Sequence, residues 1–193
     1  MNKKTLIAPL LILSLVGCKS FEQSQMVPEK DPISPLLPTL EKTIEDFANS
    51  TVGTSQEELN FFTKEVEQNL IDPYGDKVGY IVLKRINSDI KLGLGWAIAD
   101  GLLLGVPILF GAPVGTPQYQ ITYELRILDK NRKLIGKYEN TGIGKAAIAM
   151  YWGYNSVGAA RKALTDSWND AFDEIRDEIQ ADSERLKAAL AEE

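Results

Sequence analysis

The chain has 193 residues, with 21 basic against 27 acidic side chains, a net charge of −6, one cysteine and no histidine. That balance argues against general nucleic-acid binding; histidine, the commonest general base and metal ligand, is missing, and a single cysteine forms no disulfide within the chain. Besides that cysteine, only carboxylates, Lys, Tyr, Ser and Thr are left for catalysis; no cofactor and no enzymatic activity are expected.

The first 20 residues read MNKKTLIAPLLILSLVGCKS. Lys3 and Lys4 make a positive start, and Leu6 to Val16 form an apolar core broken only by Pro9 and Ser14. Charge, length and order are those of a secretory signal, and the run is too short to span a bilayer. Its end, Leu15-Val16-Gly17-Cys18, resembles the bacterial lipobox. The resemblance implies that residues 1–17 are a lipoprotein signal peptide, cut before Cys18. It also implies a diacylglyceryl group on the Cys18 thiol, which leaves no thiol nucleophile, and, usually, a palmitate-type acyl chain on the new amine. Small residues before the cut let the peptidase grip the backbone, and the thiol is the acceptor. Several acyl chains anchor firmly where one alone is marginal. Lys19 stands where enteric-type lipoproteins kept in the inner membrane tend to carry aspartate, so the resemblance points to the outer membrane, facing the periplasm.

Removal of the leader takes two basic residues and no acidic ones, leaving the mature chain at −8. Residues 18–76 carry a net −8, residues 77–145 a net +5 and residues 146–193 a net −5. A basic middle between acidic flanks fits ordinary solvated surface, segments that attract one another on folding, or a positive face for phosphate or another anion.

Residues 18–40 read as a lipidated, Pro-rich tether, with Pro28, Pro32, Pro35 and Pro38 among polar residues. At about 3.1 Å per residue it would hold a domain well away from the lipid. The run Ile33, Leu36, Leu37 and Leu40 offers the alternative of packing down on that domain. Ser55 to Leu70 predicts a helix capped by Ser55, with Glu57 and Glu58 in its first turn and Leu59, Phe62, Val66 and Leu70 on one face. Asp72-Pro73-Tyr74-Gly75 breaks it, and Val78 to Leu83 predicts a strand.

Tyr119, Ile121, Tyr123, Leu125 and Ile127 alternate with polar residues, the period-two mark of a half-buried strand. Asp129-Lys130-Asn131-Arg132 turns the chain into a second strand, Leu134 to Glu139. Residues 141–154 are left between a further strand and a loop. From Ser156 to Leu190, Val157, Ala160, Leu164, Trp168, Ala171, Phe172, Ile175, Ile179, Leu186 and Leu190 form one helical stripe, which thins after Ile179 toward an end that projects or frays.

The expected architecture is α+β, a small antiparallel sheet of three to five strands with two main helices packed on one face, in a single domain over 41–193. The layout over residues 43–180 is similar to that of small α/β envelope lipoproteins and periplasmic modules, such as the TolB amino-terminal domain and the curli-secretion lipoprotein group. The similarity is one of element order, so no functional residue carries over.

Leu92 to Gly115, LGLGWAIADGLLLGVPILFGAPVG, carries one charge, Asp100, with six glycines and two prolines. Its length suits a membrane span, but Pro107, the glycines and Asp100 oppose one. It remains either an excursion folded over the domain's own core or an exposed hairpin docked on a partner or a membrane through Trp96, Leu103, Ile108 and Phe110. Gly142-Ile143-Gly144-Lys145 lacks the full phosphate-loop pattern and reads as a glycine-loosened strand. Tyr151, Trp152 and Tyr154 fit core packing better than sugar stacking. Asp173, Glu174, Asp177 and Glu178 fit a solvated helix face better than a metal or acid/base site.

The expected function is that of a lipid-anchored, non-catalytic envelope module that contacts an envelope protein. The alternative is a binding protein for an amphipathic anion, such as lipopolysaccharide or a phospholipid, held by segment 92–115 and the basic middle.

Overall fold

The computed structural model describes residues 19–45, 55–93 and 95–191, with the side chains of Ser55, Trp96 and Asp100 excepted. The leader and Cys18 lie outside them, as does the Ser55 cap. The fold is α+β. Four strands, β1 (Glu41–Glu45), β2 (Gly79–Gly93), β3 (Thr116–Asp129) and β4 (Leu134–Lys145), form one sheet in that order. Among the described residues the α-helices are α1 (Ser55–Glu65), α2 (Gly95–Leu102), α3 (Val106–Leu109) and α4 (Ser156–Ala191).

The β3–β4 hairpin is where the alternation puts it, with Leu125 opposite Tyr138 and Ile127 opposite Gly136. Arg132, at φ 62°, turns the corner between the two strands. β4 runs on through Lys145, so the ambiguous residues 141–145 are strand, and the chain leaves the sheet at Ala146. β2 is far longer than the apolar run that announces it. Past a bulge at Ile86 it pairs with β3 all the way to Gly93 opposite Thr116. β1 was not foreseen, and because it pairs parallel to β2, the sheet is mixed rather than antiparallel. A strand of five residues with three charged side chains shows no apolar alternation to read.

One face of the sheet holds the core. Ile81 and Leu83 of β2 and Ile121, Tyr123, Leu125 and Ile127 of β3 are buried against α1 and α4. The other face carries ion pairs, with Glu124 held by Arg126 and by Lys137 at 2.6 Å, and Arg126 also reaching Glu45 at 3.1 Å. The stripe of α4 is buried from Leu164 to Leu190; its last turns do not project, because Leu186 lies against Gly136 and Leu190 against Gly79. Val157, at its start, is exposed. α1 continues as a wider π turn over Val66–Leu70, and its buried face is Glu58, Phe61, Phe62, Glu65, Val66, Asn69 and Leu70. Leu59, expected inside, is exposed, while Phe61 takes the core position and packs 4.8 Å from the Trp168 ring.

Residues 19–40 are not a free spacer. Met26, Ile33, Leu37 and Leu40 are buried, so the apolar run packs down as a strap. The Asn69 side chain receives the Asp31 amide at 3.0 Å and donates to the Glu29 carbonyl at 2.7 Å. Asn169 accepts the Glu29 amide at 3.0 Å, and Gln180 donates to the Ser34 carbonyl at 2.6 Å. Prolines keep the segment extended, but four apolar side chains buried along it outweigh the solvation of its polar residues.

Candidate functional site: an apolar tip on a long hairpin

β2 and β3 together make a hairpin whose connection is residues 94–115. With 15 residues in β2, at about 3.3 Å each, the hairpin carries this connection on the order of 45 Å from its other end. Glycine and Pro107 divide the apolar stretch into short pieces. α2 has eight residues and α3 four, with Pro107 in the first turn of α3. Between them the chain reverses at Leu104 (φ 54°) and Gly105 (φ 77°), and after Phe110 it turns again at Gly111 (φ 88°). No described helix is long and apolar enough to cross a membrane, and the connection is not a span.

Nor does this connection fold over the core. Leu104 is 92 % exposed, Phe110 86 % and Leu102 80 %, with Ile98, Leu103, Val106 and Leu109 also exposed around them. Of the expected anchors, Leu103 and Phe110 lie on this surface. Ile108 is half-buried in an apolar groove of about 320 Å³ shared with Ala97, Gly101, Leu104, Gly105 and Val114. The Trp96 side chain lies outside the described residues. Leu102, Leu104, Leu109 and Ile98 were missed. The signal for the first two was the run Leu102-Leu103-Leu104 ending at Gly105, which no single helix face can bury.

The base of the tip is tied to the loop after β4. Val114 donates to Ile148 at 2.7 Å and Ile148 to Gly115 at 2.8 Å. The half-exposed Trp152 donates its ring N–H to the Gly111 carbonyl at 2.7 Å. Tyr154 packs edge-on to Phe21 of the strap, with centroids 6.1 Å apart, and so serves packing at this corner, whereas Trp152, expected inside, is half-exposed.

Among the described residues, Glu58 and Glu65 are carboxylates buried on the core side of the sheet, and Glu124 is buried on the other face. Glu58 meets the Arg85 guanidinium at 3.0 Å and accepts a hydrogen bond from the Tyr123 hydroxyl. Burial dominates there and, against those two partners, pushes its pKa up to about 7. Burial likewise raises Glu65, which Arg176 meets at 2.9 Å and Asn69 at 2.9 Å. The space bounded by Glu58, Phe61, Phe62, Leu83, Tyr123, Trp168 and Phe172 has no room for a water molecule. A shallow surface groove of about 340 Å³ lies among Tyr119, Val157, Ala160 and Leu164, with the Glu57–Arg161 pair at its edge. Among the described residues, no group of three or more acidic side chains is placed to hold a metal ion. Glu174, Asp177 and Glu178 are exposed on α4, and Asp173 pairs with Arg176. Gly142 and Gly144 belong to β4 rather than to a phosphate-binding loop.

No family model and no curated protein matches the chain. Among solved structures, it is similar to a "putative lipoprotein" from Caulobacter crescentus CB15, at 16% identity over 78% of this chain and 92% of that one, with a TM-score of 0.37. It is also similar to a minor lipoprotein from Acinetobacter baumannii, at 10% identity over 78% and 96% of the two chains, with a TM-score of 0.30. Likenesses this loose assign the chain to no family.

Proposed function

We propose that this chain is a lipid-anchored, non-catalytic module of the cell envelope that works by contact, with the apolar tip as its contact device. The observation that carries this reading is the clustering of Leu102, Leu103, Leu104, Leu109 and Phe110, all exposed, on one projecting end. Apolar patches of this kind on soluble domains mark contact sites. The lipobox supports the address, with Cys18 acylated and Lys19 directing the protein to the periplasmic side of the outer membrane. The alternative, capture of a free amphipathic anion, shares the apolar surface, but half of the basic side chains in the middle of the chain are already paired. In the basic middle, Lys77, Arg85, Lys91, Arg126 and Lys137 each pair with a carboxylate.

Two variants test the proposal. Cys18→Ala is expected to leave an unprocessed precursor or an unanchored protein, and mass spectrometry showing a mature amino terminus elsewhere, without acyl chains, would refute the address. Leu103→Ser with Phe110→Ser is expected to melt close to the wild type, since little buried area is lost, and to abolish contact. A large drop in melting temperature would refute the contact reading.

A further inference from the structure

Lys19 fixes the place from which the chain departs toward Cys18. Cys18 is one peptide link, about 3.8 Å between Cα atoms, from Lys19. Lys19 is not on a leash, since its amide donates to the Gly153 carbonyl at 2.9 Å and its carbonyl accepts from Asn155 at 3.0 Å. Gly153 follows Trp152, whose ring N–H holds the Gly111 carbonyl at 2.7 Å, and Gly111 follows the exposed Phe110. Two hydrogen bonds and a few covalent links thus connect the acylation site to the apolar tip.

We propose that the occupant of the tip is the bilayer itself: residues 98–110 seat in the same leaflet that holds the acyl chains of Cys18, and the domain stands on the membrane tip down. The inference rests on the reading of Cys18 as the lipidated residue. Three observations favour lipid over a protein partner. First, several backbone N–H groups of the tip find their partners within it, as hydrocarbon favours. Leu103 donates to Ala99 at 3.1 Å, Val106 to Leu103 at 3.1 Å, Phe110 to Pro107 at 3.0 Å and Gly111 to Ile108 at 2.9 Å. Second, the described side chains from Gly101 to Phe110 are all apolar, whereas a protein interface would need a polar rim. Third, the exposed Lys19 and half-exposed Trp152 stand behind the tip, where a cation meets headgroup phosphate and an amphipathic ring suits the interface. Seating is shallow, about 5–10 Å, because α2 also carries Asp100, which the bilayer centre would penalise.

The test uses the mature lipidated protein in vesicles of phosphatidylethanolamine and phosphatidylglycerol. With the Cys18 thiol acylated, Leu104→Cys, Phe110→Cys or Tyr74→Cys each supplies one free thiol for a nitroxide. Tyr74 is exposed in the turn before β2, at the far end of the hairpin. Labels at 104 and 110 are expected to collide with oxygen and lose collisions with a water-soluble nickel chelate, while the label at 74 stays open to the chelate. Labels at 104 and 110 as open to the chelate as the one at 74 would overturn the proposal, and so would loss of both collisions, the sign of a covering protein or second copy. The mass of the amino-terminal peptide, taken on the same sample, separates the two failures. Acyl chains present with a wet tip overturn this inference alone, and acyl chains absent overturn the lipoprotein reading with it.

Discussion

Glu58 sits in an environment that departs far from its chemistry in water. Its pKa near 7 lies above the usual 4.5, so between those values the folded chain holds a proton that the unfolded chain releases. Stability therefore falls as pH rises from about 4.5 to about 7, the reverse of an exposed salt-bridged carboxylate. Glu58→Gln is expected to flatten that part of a stability–pH curve measured by denaturant unfolding; an unchanged slope would place the titration elsewhere. Leu104 shows a second local tension, a leucine in left-handed backbone at φ 54°. Leu104→Gly relieves strain on the order of 1 kcal/mol, so the variant is expected to melt at or slightly above the wild type while its vesicle contact weakens. Neither residue could be recognised from sequence. Glu58 and Glu65 share the helical spacing of Phe61, Phe62 and Val66, but the cations that make their burial tolerable, Arg85 and Arg176, stand 27 and 111 positions away.

At the scale of elements, periodicity spoke where one face is wet and the other dry. The β3–β4 hairpin and α4 alternate cleanly because the sheet packs on one side only. β1 is an edge strand recruited by the strap and β2, and the outer reach of β2 follows β3 rather than an apolar pattern of its own. Trp168 is buried and packed against Phe61, so Trp168→Ala is expected to cost about 3–5 kcal/mol in a denaturant titration. A loss well below 1 kcal/mol would mean that the stripe of α4 is not the core. Where β4 meets α4 the backbones nearly touch. A Cβ on Gly142 would lie 1.8 Å from the Ser167 carbonyl oxygen, and one on Gly144 1.8 Å from that of Ala163. Gly144→Ala must push strand and helix apart, and its melting temperature is expected to fall far more than that of Gly101→Ala, where a Cβ meets nothing.

For the whole molecule, the sequence located the candidate site but not its setting. Segment 92–115 stood out by composition, and its exposure followed from the glycines and Pro107 that keep it from forming one helix. Its nearness to Lys19 was invisible, because it depends on the strap folding back over α4. Asn69→Ala would leave the Asp31 amide and the Glu29 carbonyl without their side-chain partner. Limited proteolysis is expected to cut between residues 22 and 36 faster in that variant than in the wild type; equal protection would show that the apolar side chains alone hold the strap. The strap also has a history in time. It is synthesised first, yet Lys19 is held by Gly153 and Asn155, Glu29 by Asn169 and Ser34 by Gln180, all synthesised last. Asn69 can hold the strap early, but its fastening to α4 waits until Asn169 and Gln180 have emerged. A polypeptide halted before Ser156 would keep the bonds that Asn69, Gly153 and Asn155 make to the strap but lack Asn169 and Gln180, so the clasp is complete only once α4 has been made.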